Sequence, residues 1–127
     1  MSPTPGYEVL WTTTALGMLA DVADRRIRQQ LFDTSKRLEV DPEKQGKPLR
    51  ESLMGFRSLR VVGQRYRLVY SIVPASRLVH VVAAGLRREG SRDDVYALAQ
   101  KIVRLGLAPP ARPPKTGRER GPGRKKK

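Results

Sequence analysis

The chain of 127 residues lacks cysteine altogether and contains a single histidine, His80. Without a thiol there can be no disulfide, no thiolate zinc site and no cysteine nucleophile. A Ser-His-Asp triad or a histidine-based metal cluster has only His80 to build on. Long apolar runs are also missing, because the longest, residues 78–86, is far shorter than the roughly 20 residues of a membrane helix. We therefore expect no membrane partner and a cytoplasmic location.

Positive charge is what the chain has in abundance. Lysine and arginine number 26 against 12 aspartates and glutamates, which gives a formal net charge of +14. The excess lies in two blocks of +7 each, residues 57–92 and residues 108–127, whereas residues 1–56 and 93–107 are each neutral. A chain this basic indicates a polyanionic partner, most often a nucleic acid.

The two basic blocks differ in kind. Residues 108–127 contain five prolines, three glycines and no large apolar residue, and they end in four consecutive basic residues. Such a segment cannot bury enough surface to offset the entropy of ordering. We therefore predict a folded domain over 1–107 and a disordered basic tail over 108–127, either an appendage with general affinity for phosphate or a dedicated binding site. Residues 57–92 instead interleave eight arginines with apolar residues, which is typical of folded structure.

The first half of the chain predicts one strand and two helices. An alternating run at 7–11 indicates the strand, and threonines 12–14 offer a helix cap. Apolar residues at helical spacing then continue as far as Leu38, with a joint near residues 21–24 where Asp24 can cap the second helix. The helical stretch ends before Pro42, and residues 43–55 are predicted to form a loop.

The second half predicts three strands and a final helix. The strands cover 58–62, 65–73 and 78–86, and the short turns between them indicate an antiparallel meander. A capping box at 91–94 precedes the last helix. The order β-α-α-β-β-β-α predicts an α+β fold, in which N-terminal helices and a C-terminal helix pack on a mostly antiparallel four-stranded sheet.

Alternation along two of these strands points to a cationic patch. Residues 65, 67, 69 and 71 are expected on one face of their strand, and residues 79, 81, 83, 85 and 87 on one face of the next. If the two strands pair on the same side, Arg67 and Arg87 lie over the small residues Ala83 and Gly85, an arrangement suited to a phosphate. The alternative is that these arginines are solvated and discourage edge pairing.

Three motifs in a fixed order resemble a known family. They are Arg65-Tyr66-Arg67-Leu68-Val69-Tyr70, then Gly85-Leu86-Arg87-Arg88-Glu89 at the end of a strand, then Asp94-Val95-Tyr96 opening a helix. Together they resemble the RelE/ParE superfamily of type II toxin–antitoxin toxins, over about residues 7–105. The order of elements predicted above also suits that fold.

Similarity to the RelE branch implies a ribonuclease that enters the ribosomal A site, cleaves mRNA and inhibits translation. It implies no metal and no other cofactor, and a product with a 2′,3′-cyclic phosphate. The family's catalytic residues correspond to Arg67 and Arg87, which would hold and neutralise the phosphate, and to Tyr96, which would stack on a base or orient the 2′-OH. The other arginines expected to bind RNA phosphates are Arg57, Arg60, Arg65, Arg88 and Arg92.

The resemblance also implies a protein partner. A cognate antitoxin with an acidic amphipathic segment would cover the arginines or displace the last helix, and the two chains would form a hetero-oligomer.

One departure from the ribonuclease branch keeps other functions open. That branch has lysines on the strand before the Arg-Tyr-Arg motif, whereas Ser58 and Arg60 stand there and residues 57–92 contain no lysine. Arginine stabilises charge but is a poor proton shuttle, so the general base is unassigned, with Tyr96 as the candidate. The alternatives are a ParE-like inhibitor of DNA gyrase and a non-catalytic relative that only binds nucleic acid or ribosomes.

Overall fold

The computed structural model describes residues 6–61, 63 and 65–109, so the predicted tail lies outside them except for residues 108 and 109. The strands and helices are β1 (Glu8–Trp11), α1 (Thr13–Ala20), α2 (Arg25–Lys36), β2 (Lys47–Pro48), β3 (Arg57–Val61), β4 (Tyr66–Val73), β5 (Leu78–Leu86) and α3 (Val95–Arg104). This order confirms the α+β class. It also adds one short strand, β2, within the segment predicted as a loop.

Side-chain caps start the first two helices where the sequence predicts them, whereas α3 is capped by Asp94 and not by the Ser91 of the predicted capping box. The Thr12 hydroxyl accepts a hydrogen bond from the Ala15 amide at 3.0 Å and begins α1. The Asp24 carboxylate accepts from the Arg26 amide at 2.8 Å and begins α2. Each cap satisfies an amide that the first helical turn leaves without a partner. Both predicted caps are therefore confirmed.

The sheet has the strand order β1-β5-β4-β3-β2. Strands β3, β4 and β5 form the predicted antiparallel meander, while β1 pairs with β5 in parallel. The fifth strand is β2, in which Lys47 pairs with Ser58 and Pro48 with Arg57. The predicted count of four strands is one too low, because two residues are too few to show an alternation of side chains.

Each face of the sheet is covered by helices over its own apolar cluster. On one side, the α2 face, Leu31 and Leu38 pack on Leu68, Tyr70 and Val79. The opposite side, the α3 face, joins residues of α3 to the sheet in a cluster of Val69, Val82, Ala83, Val95, Ala99 and Ile102, together with Leu53 and Phe56. Because β4 is buried on both faces, its position in the molecule is fixed from two sides.

The predicted side-chain directions along β5 are wrong at two residues. Val79 and Val81 pack on the α2 face, whereas Ala83 packs on the α3 face. The register explains the change, since Val69 pairs with Ala83 and Tyr70 with Val81, leaving Val82 as an extra residue. Such a bulge reverses the alternation, so only the part of β5 beyond Val82 follows the predicted faces.

In the described part of the chain, no helix has the length and hydropathy that crossing a membrane would require.

Candidate functional site

A cleft of about 470 Å³ opens where β2, β3 and β4 meet the start of α3. Six of the residues that line it are charged or carry a hydroxyl: Lys47, Ser58, Arg60, Arg67, Arg87 and Tyr96. The rest of the lining comes from β2 and nearby positions: Gly46, Pro48, Leu49 and Leu59. The three residues that the sequence predicts to be catalytic therefore lie around one cleft.

Strand pairing places two arginines side by side. Arg60 of β3 lies directly opposite Arg67 of β4, and on the other side Arg67 lies opposite Gly85 of β5. Like charges directly opposite each other on paired strands repel, so an anion bound between them is favoured. Gly85 faces the start of α3, where an added Cβ would lie 3.8 Å from the Val95 side chain.

Arg87 follows β5 and is fixed by contacts on several sides. Its guanidinium forms ion pairs with Asp94 at 2.6 Å and with Glu89 at 3.7 Å. The same guanidinium lies over the Tyr96 ring, with Cζ 4.5 Å from the ring centroid. Its backbone amide donates to the Arg65 carbonyl oxygen at 2.7 Å. The side chain is still 27% exposed, so its charge can be reached from the cleft.

Asp94 connects Arg87 to the start of α3. Its buried carboxylate accepts from the backbone amides of Arg88 at 2.6 Å and of Tyr96 at 3.0 Å, and so caps the helix. Burial alone would raise the pKa of Asp94, but the hydrogen bonds from Arg87 and from the two amides lower that pKa below its ordinary value. In turn, the hydrogen bond to Asp94 raises the pKa of Arg87. Both groups are therefore held in their charged forms.

Tyr96 joins α3 to β3 across the cleft. Its hydroxyl and the Ser58 hydroxyl share a hydrogen bond of 2.6 Å, in which either oxygen can be the donor. Ser58 is buried, while Tyr96 is partly exposed in the cleft wall. The Tyr96 ring thus lies against the Arg87 guanidinium while its hydroxyl is held by Ser58 in the same cleft.

Four of the arginines predicted to bind RNA are not part of the cleft lining. Arg57 lies on the α2 face opposite Tyr70, and its guanidinium donates to the carbonyl oxygens of Gln45 at 3.1 Å and Gly46 at 3.3 Å. It lines a separate, mostly apolar cavity of about 880 Å³. The other three are exposed residues in turns or loops: Arg65, Arg88 and Arg92.

Sequence reasoning missed Lys47, which lines the cleft from β2. The residue is exposed and pairs with Ser58, which itself holds the Tyr96 hydroxyl. Nothing in the local pattern distinguishes it from a solvated loop lysine. Its place in the cleft arises only when the chain folds back along β3.

The assembled cleft is chemically suited to a phosphodiester. Arginine forks bind phosphate oxygens with two donors each, lysine adds a compact ammonium, and the tyrosine hydroxyl can position a reacting group. In the described ranges, no three histidine, aspartate or glutamate side chains are grouped so that they could hold a metal ion.

Comparison with known proteins identifies relatives of this fold and sequence. The family described as the ParE toxin of the type II toxin–antitoxin system, parDE, matches residues 9–90. The RelBE2 toxin–antitoxin complex of Mycobacterium tuberculosis contains a chain that is 32% identical, with a TM-score of 0.60, covering 68% of this chain and 98% of that one.

Two further structures are similar in fold alone. A chain of the E. coli RelBE toxin–antitoxin complex is 21% identical, with a TM-score of 0.54 and coverage of 65% of this chain and 99% of that one. A chain of the chromosomal ParDE system of P. aeruginosa is 14% identical, with a TM-score of 0.54 and coverage of 65% and 98%. No protein among the curated sequences matches this chain. With its family match over most of the folded region, the chain belongs to the RelE/ParE superfamily of toxins from type II toxin–antitoxin systems.

Proposed function

We propose that this toxin is an endoribonuclease that cleaves mRNA in the ribosomal A site and so inhibits translation. The observation that supports the proposal is the convergence of Arg67, Arg87 and Tyr96 on one cleft, with Arg60 directly opposite Arg67. Fixed cations stabilise the charge that develops when a phosphodiester is cleaved by its own ribose, and a hydroxyl can orient the reacting groups. The resemblance to the RelE branch implies that no metal takes part.

The proposed reaction is attack of the ribose 2′-OH on the adjacent phosphorus. The bond from the 2′ oxygen to phosphorus forms while the bond to the 5′ oxygen breaks, giving a 2′,3′-cyclic phosphate and a 5′-hydroxyl. The 2′-OH gives its proton to a base, and the departing 5′ oxygen takes one from solvent water, so the number of protons is unchanged. Arg67 and Arg87 stabilise the negative charge that develops on the phosphorane oxygens. Tyr96, held by Ser58, orients the 2′-OH and is the candidate acceptor of its proton.

A cognate antitoxin is the proposed protein partner. Two of the similar structures, from M. tuberculosis and E. coli, are toxin–antitoxin complexes. The cationic cleft favours an acidic segment of such a partner, because opposite charges across an interface accelerate association. Adding the antitoxin is therefore expected to block RNA access and to form a hetero-oligomer with this chain.

Inhibition of DNA gyrase is a second candidate, and two observations favour it. The matched family is that of ParE toxins. In addition, Ser58 and Arg60 stand where the ribonuclease branch carries lysines. In that case the cleft would bind protein rather than RNA, and the cellular damage would be breaks in DNA.

Purified protein added to translating ribosomes with a defined mRNA separates the two functions. We expect codon-phased cuts with 2′,3′-cyclic phosphate ends, which disappear in Arg67→Ala and Arg87→Ala and weaken in Tyr96→Phe. Arg26→Ala is the matched control, since it removes an exposed arginine of α2 that is not in the cleft lining. If wild-type protein leaves the mRNA intact but causes gyrase-dependent DNA breaks, the ribonuclease proposal is wrong.

A further inference from the structure

Lys47 occupies a position in the cleft that its place in the sequence does not suggest. It belongs to the two-residue edge strand β2, where it pairs with Ser58 of β3. Ser58 shares a hydrogen bond of 2.6 Å with the Tyr96 hydroxyl. The lysine backbone is thus one strand away from the residue that holds Tyr96, and its side chain lines the same cleft as Arg67 and Arg87.

The backbone just before Lys47 is tied to the sheet by three side-chain hydrogen bonds. The Tyr70 hydroxyl donates to the Gln45 carbonyl oxygen at 2.7 Å. The Arg57 guanidinium donates to the carbonyl oxygens of Gln45 at 3.1 Å and Gly46 at 3.3 Å. A buried tyrosine and a half-buried arginine on the α2 face therefore fix the segment that presents Lys47 on the α3 face.

Gly46 allows this segment to lie close against β3. Its φ is +66°, and a Cβ at this position would lie only 2.5 Å from the Ser58 carbonyl oxygen and 3.0 Å from the Tyr70 hydroxyl. Only glycine fits both the positive φ and this close approach. The position of Lys47 is consequently built into the backbone rather than left to an unconstrained loop.

The charge of Lys47 complements that of the arginines. Residues 57–92 contribute guanidinium groups only, whose planar forks match a phosphate in its resting geometry. An ammonium is a compact charge with three donors on a flexible stem, so it can follow phosphate oxygens that move as phosphorus becomes five-coordinate. A lysine beside these arginines supplies an ammonium group, which residues 57–92 lack.

We propose that Lys47 is a phosphate-contacting residue of the cleft, acting with Arg67 and Arg87, and that the hydrogen bonds of Tyr70 and Arg57 position it. This inference rests on the proposed RNA-directed function. It places a cation that contacts the same RNA backbone on the edge strand β2, outside residues 57–92.

Salt-dependent binding of a 2′-O-methyl RNA oligonucleotide tests the contact without cleavage. Loss of one phosphate contact lowers the slope of log affinity against log salt by about 0.7 for single strands. We expect this change for Lys47→Ala, with affinity about tenfold lower, because a hydrogen bond to a charged group has this order of strength. Lys47→Arg is expected to restore both values, since it restores the cation.

Lys44→Ala is the matched control, because Lys44 is an exposed lysine three residues away that is not in the cleft lining. Its slope is expected to equal that of the wild type. If Lys47→Ala behaves like Lys44→Ala, or if Lys47→Arg behaves like Lys47→Ala, the proposed contact is wrong. Urea unfolding of each variant confirms that folded proteins are compared.

Cleavage of mRNA on translating ribosomes separates this inference from the proposed function. Wild-type cleavage with an unchanged Lys47→Ala slope overturns the role of Lys47 and leaves the ribonuclease intact. A reduced slope in Lys47→Ala without any wild-type cleavage overturns the ribonuclease and leaves the phosphate contact. If the wild type neither binds nor cleaves RNA, both are wrong.

Discussion

On the α2 face of the sheet, Arg57 donates to carbonyl oxygens of the distant residues Gln45 and Gly46. On the α3 face, Arg67 donates to the carbonyl oxygen of its neighbour Tyr66 at 3.3 Å and lines an open cleft together with Arg60 and Arg87. Arg57 and Arg60 belong to the same strand and are three residues apart, so their side chains emerge on opposite faces. In the amino-acid composition, each of the two residues counts simply as one positive charge. The comparison teaches that the face on which an arginine lies decides whether its guanidinium ties down a distant backbone segment or lines the cleft.

The largest expected effects come from substituting arginines on the two faces of the sheet. Arg67→Ala and Arg87→Ala are each expected to lower mRNA cleavage by about 100-fold, because each removes a donor aimed at the developing charge. Arg57→Ala is expected to lower the free energy of unfolding by about 1–3 kcal/mol, since it removes two partly buried hydrogen bonds that a charged group donates to carbonyl oxygens. Arg57→Ala is expected to lower mRNA cleavage no more than Lys47→Ala does. Cleavage assays check the expected losses of activity, and urea unfolding checks the expected loss of stability. Equal losses of cleavage in Arg57→Ala and Arg67→Ala would contradict the comparison.

A smaller effect is expected at Asp94, which orients Arg87 within the α3 face. Asp94→Asn keeps an oxygen that can cap α3 but removes the charge that fixes the Arg87 guanidinium. We expect cleavage to fall about tenfold, as for loss of one charge-assisted hydrogen bond, while RNA affinity changes less. Single-turnover kinetics separate the two quantities. Asp93→Asn is the neighbouring control, because Asp93 is exposed, and a loss equal to that of Asp94→Asn would show that the ion pair has no special role.

The smallest effect is a pH dependence of stability that belongs to the same ion pair. Because the folded pKa of Asp94 lies below its unfolded value, its stabilisation is fully present above the unfolded pKa of about 3.9. This contribution is lost as the pH falls from there through the folded pKa. Urea unfolding between pH 2 and 6 should therefore show a steeper acid loss for the wild type than for Asp94→Asn. Parallel profiles for the two proteins would contradict the lowered pKa.

The sequence predicts those parts of the fold that depend on local patterns. Thr12 and Asp24 are capping residues followed by helical spacing, and both caps are present in the structure. The motif around Arg67 and the turn between β4 and β5 likewise place the central strands correctly. Such features are predictable because alternation, capping and turn chemistry each act within a few residues.

Features that depend on long-range packing could not be predicted. The extra residue Val82 reverses the faces of β5, and no local signal marks it, since valine suits either face. The place of Lys47 depends on Tyr70, which is 25 residues from Gln45 in sequence yet hydrogen-bonded to it. The two sides of the cleft meet only after the sheet has formed.

Sequencing of RNA 5′ ends from cells that express the wild type, Arg67→Ala or Arg26→Ala tests the central claim most directly. The wild type and Arg26→Ala should produce 5′-hydroxyl ends in phase with codons within translated mRNA. Arg67→Ala should produce none above background, because it lacks a cation of the cleft. Ends that are equally abundant in Arg67→Ala, or growth arrest with DNA breaks and no such ends in the wild type, would contradict it.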